Sequence, residues 1–162
     1  SIVCKDINLQ SLQADKMIIE IAKAMGVKIK QINDTSIEIN GGDLTSATID
    51  ASQIPDIIPV ISVMASLSEG QTTIVNASRL RIKESDRIKS TVSELAKLGA
   101  DIKEVDDSII INGRNQLTSG NLSSWNDHRI YQWINSCKIK CSPIYCYFRY
   151  DDNCLWNELT IL

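Results

Sequence analysis

The chain has 162 residues, of which 43% are hydrophobic and 23% are charged, and its formal net charge is −3. This length and balance predict a soluble globular protein with a sizeable core. The slight acidic excess argues against a general nucleic-acid binder, which needs a basic surface. No apolar run approaches the roughly 18 residues of a membrane span, and residues 1–10 lack the pattern of a secretory signal. We therefore expect a cytoplasmic protein with no nucleic-acid or membrane partner.

The composition changes abruptly near the end of the chain, because all the aromatic residues lie in residues 125–162. Four of the five cysteines also lie there, namely Cys137, Cys141, Cys146 and Cys154. Their spacing lacks the two-residue gaps typical of zinc sites, and a reducing cytoplasm disfavours disulfides. Two interpretations stay open: a metal or disulfide module, and a frameshifted or truncated tail unrelated to the preceding fold.

A unit of helix, strand, turn and strand occurs twice, in residues 15–41 and 86–113. Each helix is amphipathic and is followed by a glycine, Gly26 or Gly99, where a left-handed C-cap needs no Cβ. The helix and first strand of copy one bury Met17, Ile18, Ile21, Ala22, Met25, Val27, Ile29 and Ile32 in this prediction. Those of copy two bury Ile88, Val92, Leu95, Leu98, Ala100, Ile102 and Val105. The second strands are expected at 37–39 and 109–111.

A different element separates the two copies. Residues 48–50 predict a short strand, and Pro55 with Asp56 is typical of the first turn of a helix. The apolar run after them predicts a helix or buried segment that ends at Gly70, and the next strand follows over 72–75. The order of elements indicates an α/β fold of repeated units, with sheets of mixed direction.

Basic residues concentrate in residues 79–87, between a predicted strand and a predicted helix. They are Arg79, Arg81, Lys83 and Arg87. Cations at a helix start that is capped by Ser85 or Asp86 favour a site for phosphates or carboxylates. Lys83 and Arg87 share one helix face if the helix begins early. A salt-bridged, solvated helix start explains the same residues equally well.

Two smaller clusters are weaker candidates on pattern alone. Another helix start is expected at Asp127, His128 and Arg129. The ordinary interpretation is that Asp127 caps the helix and that His128 and Arg129 are surface residues. Asp56 is a candidate base or acceptor for a substrate hydroxyl, although a favourable charge at a helix end is the commoner role.

Several motifs occur together in one order along the chain. They are Gln13-Ala14-Asp15-Lys16, Ile54-Pro55-Asp56, Gly70-Gln71-Thr72-Thr73, LRIKESDRI at residues 80–88, Leu98-Gly99-Ala100 and Asn126-Asp127-His128-Arg129. Over residues 8–130 they resemble the C-terminal part of the EPSP synthase (3-phosphoshikimate 1-carboxyvinyltransferase) family. The related UDP-N-acetylglucosamine enolpyruvyl transferases match these blocks less well and remain an alternative.

The resemblance implies a fold and an activity. The implied fold is a partial lobe of an inside-out α/β barrel, built of repeated α/β units. The chain is expected to supply most of the second of the family's two lobes. The activity is transfer of the enolpyruvyl group of phosphoenolpyruvate to the 5-hydroxyl of shikimate 3-phosphate, with release of phosphate and with no metal or other cofactor.

The resemblance also implies roles for residues at matching positions. Asp56 is expected to accept the hydroxyl proton and hold the shikimate hydroxyls, and Glu84 to handle the methylene proton. Lys83 is expected to bridge the two substrates. The phosphoenolpyruvate-binding group is expected to be Arg87, His128 and Arg129.

The chain departs from the family's pattern in two respects. These 162 residues show no counterpart of the family's first lobe, which has its own substrate-binding residues, and the sequence after Ile130 no longer resembles the family. We therefore expect a second-lobe domain in residues 1–130, a divergent tail in 131–162, and little activity without the missing N-terminal lobe as partner. A non-catalytic module that binds anions, or that docks on a separately made lobe, is the other class of function considered.

Overall fold

The computed structural model describes residues 1–83, 85–114 and 116–118, and the backbone of residues 159–161. Three of the candidate site residues, Glu84, His128 and Arg129, lie outside the described residues, as do the four cysteines of the tail. The predicted domain boundary at residue 130 lies outside them too. In the part of the chain that is described, no helix is long and apolar enough to cross a membrane.

The described elements alternate between strands and helices. In chain order they are β1 (Ile2–Cys4), α1 (Met17–Ala24), β2 (Lys28–Asn33), β3 (Ser36–Asn40), β4 (Thr48–Asp50), α2 (Ile58–Ser66), β5 (Gln71–Val75), α3 (Arg87–Lys97), β6 (Asp101–Val105), β7 (Ser108–Asn112) and β8 (Leu159–Ile161). Short 3₁₀ turns, Ala14–Lys16 and Ser78–Ile82, precede α1 and α3.

The strands form two four-stranded sheets. The first has the order β2-β3-β1-β8, with antiparallel neighbours throughout. The second has the order β4-β5-β7-β6, in which β4 and β5 run parallel and the other neighbours antiparallel. The second sheet is therefore mixed, as predicted, because a βαβ crossover through α2 stands beside the β6–β7 hairpin.

The predicted repeat is confirmed as two helix–hairpin units, α1-β2-β3 and α3-β6-β7. Ile29 lies opposite Ile39 in one hairpin and Ile102 opposite Ile111 in the other. The first hairpin has a register shift between Gln31 and Asn33, whereas the second keeps one register. Gly26 and Gly99 follow the helices with φ angles of 93° and 79°. Both adopt the left-handed backbone conformation that a residue without Cβ enters at low cost.

Three predicted core positions are wrong. Ile32 and Val105 are exposed by 51% and 41%. Each lies three residues after an inward-facing residue, Ile29 or Ile102, so strand alternation turns it to the opposite face. Met17, at the first position of α1, is also exposed by 46%. Ile19 is buried instead, because the core lies on that side of the helix.

Helix α2 is shorter than predicted. It begins at Ile58 rather than near Pro55. Pro59 lies in the first turn of the helix, where backbone N–H groups have no acceptor within the helix, so its missing N–H breaks no hydrogen bond. It ends at Ser66, four residues before Gly70. All nine residues of α2 are buried, so this helix lies inside the molecule. Pro55 and Asp56 belong to the turn that leads into it.

The main hydrophobic core joins both sheets. Ile39 of β3, Ile61 of α2 and Ile111 of β7 belong to one buried cluster. A smaller cluster of Val63, Leu95 and Leu98 lies between α2 and α3. The buried α2 therefore fixes the turn before it relative to the start of α3, and this relationship positions the candidate site.

Candidate active site

Asp56 lies in a turn at the edge of the core. Its neighbours Ile54 and Ile57 are fully buried. The backbone N–H of Ile54 donates to Ala51, and that of Ile57 donates to Ile54. The Asp56 side chain retains 36% of its exposure. The carboxylate is thus open to a ligand while its backbone is anchored on both sides by apolar burial.

The segment that leads into α3 carries the cations. Leu80 is fully buried and anchors the 3₁₀ turn, and Lys83 follows in an extended conformation. Asp86 caps the helix, because its Oδ1 accepts the backbone N–H of Lys89 at 3.1 Å. The prediction of Ser85 or Asp86 as N-cap is thereby resolved in favour of Asp86. The helix begins at Arg87, so the idea that Lys83 and Arg87 share a helix face is wrong.

Lys83 and Arg87 nevertheless converge on Asp56. Arg87 Nη1 donates to Asp56 Oδ1 at 2.5 Å, and Lys83 Nζ lies 3.3 Å from both carboxylate oxygens. The Arg87 side chain is only 2% exposed, whereas that of Lys83 is 29% exposed. The structure therefore brings together three of the six predicted site residues as one carboxylate and two cations.

The environment of Asp56 contains opposing effects on its pKa. Partial burial raises the pKa, because the charged form loses hydration, but the hydrogen bond from Arg87 and the charges of Lys83 and Arg87 lower it. The balance holds the pKa of Asp56 below its ordinary value of 3.8. The group is ionised at neutral pH and accepts hydrogen bonds.

The two other arginines of the cationic segment have structural partners. Arg79 Nη1 donates to the Ser52 carbonyl at 2.9 Å, which ties the segment to the loop before Asp56. The Arg81 guanidinium contacts Asp86, Glu104 and Asp107 at 3.4, 2.7 and 3.1 Å. The hydrogen bond to Glu104 and the one to Asp107 raise the pKa of Arg81 further above its ordinary value. The salt-bridged interpretation therefore holds for Arg81. Lys83 and Arg87 are ion-paired as well, with Asp56, and their role as an anion site stays a prediction.

Some features of this region have no signal in the sequence. The partners of Arg81 in the β6–β7 hairpin lie more than 20 residues away, and only the strand register brings them close. Glu94 is also fully buried in the middle of α3, where its carboxylate contacts Lys97 Nζ at 2.7 Å. The i,i+3 spacing of Glu94 and Lys97 indicates the pair but not its burial.

Taken together, the fold and this cluster define an α/β protein of repeated helix–hairpin units with a cationic site around one carboxylate. Residues 1–132 match the family described as EPSP synthase (3-phosphoshikimate 1-carboxyvinyltransferase). The chain belongs to this family.

Individual relatives give the same result. The chain is 47% identical over 141 residues to the 3-phosphoshikimate 1-carboxyvinyltransferase of Clostridium kluyveri, an alignment covering 87% of this chain and 33% of that protein. It is 48% identical over 141 residues to the enzyme of the same name from Clostridium acetobutylicum, with 87% and 32% covered. The chain thus spans about one third of the length of these relatives.

Solved structures agree on the fold. An EPSP synthase structure from Acinetobacter baumannii superposes with a TM-score of 0.67 at 29% identity, covering 79% of this chain and 33% of that one. The enolpyruvyl transferase NikO from Streptomyces tendae shares the fold, with a TM-score of 0.51 at 21% identity over 64% of this chain and 26% of that one. The predicted fold class is confirmed as a mixed α/β, partial EPSP synthase-like fold.

Proposed function

We propose that this chain forms one side of the active site of an enolpyruvyl transferase. In this proposal the carboxyvinyl group of phosphoenolpyruvate moves to the 5-hydroxyl of shikimate 3-phosphate, and phosphate is released. The observation that carries the proposal is the convergence of Lys83 and Arg87 on the half-exposed carboxylate of Asp56. Both substrates are anions with phosphate and carboxylate groups, which guanidinium and ammonium groups bind well.

The reaction has an addition half and an elimination half, and the protons balance over the two. In the addition, the 5-hydroxyl oxygen bonds to C2 of phosphoenolpyruvate, its proton passes to a base, and an acid protonates the methylene carbon. In the elimination, the C2–O bond to phosphate breaks and the phosphate takes up the proton held by the base, while the new methyl group returns a proton to the acid as the double bond re-forms. Asp56 is the proposed acceptor of the hydroxyl proton. Glu84 is the proposed group at the methylene carbon, on the family resemblance alone.

The two cations beside Asp56 make the basicity of its carboxylate depend on substrate binding. With Lys83 and Arg87 turned toward it, Asp56 is a weak base, since both charges favour the ionised form. When a substrate phosphate or carboxylate engages Lys83, part of that stabilisation is withdrawn. The pKa of Asp56 then rises toward the range in which a carboxylate accepts a proton more effectively.

The proposed site is incomplete within the described residues. Arg87 is proposed to bind phosphoenolpyruvate together with His128 and Arg129, on the family resemblance. Because the chain spans about a third of its relatives, we propose that it represents most of the second lobe, and that a first lobe supplies the opposite side of the site. The isolated chain is then expected to bind substrate weakly and to turn over little or not at all.

The test is equilibrium binding of shikimate 3-phosphate to the chain, measured by calorimetry. Lys83→Ala is expected to weaken binding by at least about tenfold, since one charge-assisted contact contributes on the order of 1.5–3 kcal/mol. The matched control is Lys23→Ala on α1, which removes a lysine paired with Glu20 in the other unit. Equal loss in both variants, or no binding by the folded wild type, contradicts the proposal.

A further inference from the structure

Arg81 connects three elements of the second unit through one side chain. Its Nη1 lies 3.4 Å from Asp86 Oδ2, its Nη2 lies 2.7 Å from Glu104 Oε1, and its Nε donates to Asp107 Oδ1 at 3.1 Å. Nη2 also donates to the carbonyl oxygen of Asp106. The N-cap of α3, strand β6 and the β6–β7 turn are thereby held to the cationic segment.

The position of Lys83 makes these contacts relevant to the site. Lys83 lies between Arg81 and Asp86, so the ion pair between those two closes the short stretch of chain that carries it. Lys83 itself is extended and belongs to neither the 3₁₀ turn before it nor the helix after it. No described backbone hydrogen bond outside the regular elements involves Lys83.

The β6–β7 turn, which holds two of the partners of Arg81, is joined to the segment before Arg81. The backbone N–H of Ala77 donates to the Asp107 carbonyl at 2.8 Å, and Leu80 is buried in the main core. Asp86 and Glu104 keep only 27% and 28% of their side-chain exposure. Ion pairs with several partly buried partners restrain a side chain more than an isolated surface pair does.

We propose that Arg81 is a positioning residue, which fixes the Lys83 ammonium beside Asp56 through its contacts with Asp86, Glu104 and Asp107. It touches no proposed substrate atom and acts through Lys83. Its consequence for enolpyruvyl transfer rests on the proposed function, whereas the positioning of Lys83 is a property of this chain alone. The two are therefore tested separately.

The experiment follows the titration of the Asp56 carboxyl carbon by NMR in the full chain. The decisive variant is Asp107→Ala, which removes one anchor of Arg81 at an exposed turn and leaves the Asp107 carbonyl in place. If the substitution acted only through space, the loss of the Asp107 charge would lower the pKa of Asp56. If Arg81 positions Lys83, the pKa of Asp56 rises instead, because Lys83 moves away from the carboxylate.

We expect the pKa of Asp56 to rise toward its ordinary value of 3.8 in Asp107→Ala. The matched control is Asp34→Ala in the β2–β3 turn of the first unit, where no change is expected. Arg81→Gln should raise the pKa further, and Arg81→Lys should restore part of the wild-type behaviour through a single ion pair. These results do not depend on whether the chain binds either substrate.

An Asp56 pKa that is unchanged or lower in folded Asp107→Ala overturns the proposal. If Arg81→Gln does not fold, the Asp107→Ala result decides alone. If Asp56 responds as expected while shikimate 3-phosphate fails to bind wild type, the positioning role stands and the proposed function fails.

Discussion

Arg87 Nη1 lies 2.5 Å from Asp56 Oδ1, and this contact joins the first residue of α3 to the turn before α2 across 31 residues of sequence. One partner is almost completely buried, whereas the other keeps 36% of its exposure. The contact therefore has two roles, since it ties α3 to the core and leaves carboxylate surface available for a ligand.

The structural role of this contact predicts the effect of Asp56→Asn on stability. The substitution replaces the charged acceptor of a buried guanidinium by a neutral amide, and we expect a loss of about 1–3 kcal/mol in the free energy of unfolding at pH 7. The measurement is urea unfolding, with Asp34→Asn in an exposed turn as the control.

The pH dependence of that loss has a defined sign. The pKa of Asp56 is lowered in the folded state, so its contribution is present above the unfolded pKa near 3.8 and is lost as pH falls through the folded pKa. The stability difference between wild type and Asp56→Asn should therefore shrink on acidification. A difference that grows as the pH falls contradicts this account.

Anion binding should change the titration of Asp56. Adding shikimate 3-phosphate is expected to raise the pKa of Asp56, because the ligand draws the charge of Lys83 away from the carboxylate. NMR titration of the carboxyl carbons measures this directly. Asp50 is the internal control, since hydrogen bonds from Ser52 lower its pKa without help from a cation. Equal shifts at both residues would indicate a nonspecific effect of ionic strength.

The two glycines that end the helix–hairpin units should differ in their tolerance of a side chain. A Cβ at Gly113 would overlap the carbonyl oxygen of Ser68, whereas a Cβ at Gly41 meets nothing within 4 Å. Gly113→Ala is expected to lower the free energy of unfolding by at least about 2 kcal/mol, because backbone must move. Gly41→Ala is expected to leave it nearly unchanged. Similar unfolding curves for the two variants would show that the second unit packs differently around α2.

Local patterns in the sequence were sufficient to predict the repeat and to narrow the cap of α3 to Ser85 or Asp86. The glycines after α1 and α3 mark the helix ends, and Asp86 precedes an amphipathic run. The positions of Ile32 and Val105 were wrong because each was grouped with residues an odd number of positions away, which strand alternation separates.

The site was predictable only in part, because its geometry depends on long-range packing. The family resemblance predicts Asp56, Lys83 and Arg87 as site residues. Their convergence in the structure follows from a buried α2 that brings its preceding turn to the start of α3. The partners of Arg81 in β6 and the turn after it were missed, since nothing local in the sequence links residue 81 to residues 104–107.

In the function proposed above, Asp56 and its two cations serve enolpyruvyl transfer. The most direct test transplants residues 1–130 into the matching third of the Clostridium kluyveri relative and measures phosphate release from phosphoenolpyruvate and shikimate 3-phosphate. We expect an active enzyme in which Asp56→Asn lowers kcat by at least about 100-fold, the lower range for loss of an acid–base group, while Lys23→Ala leaves it unchanged. A folded transplant in which Asp56→Asn retains full activity would contradict the claim.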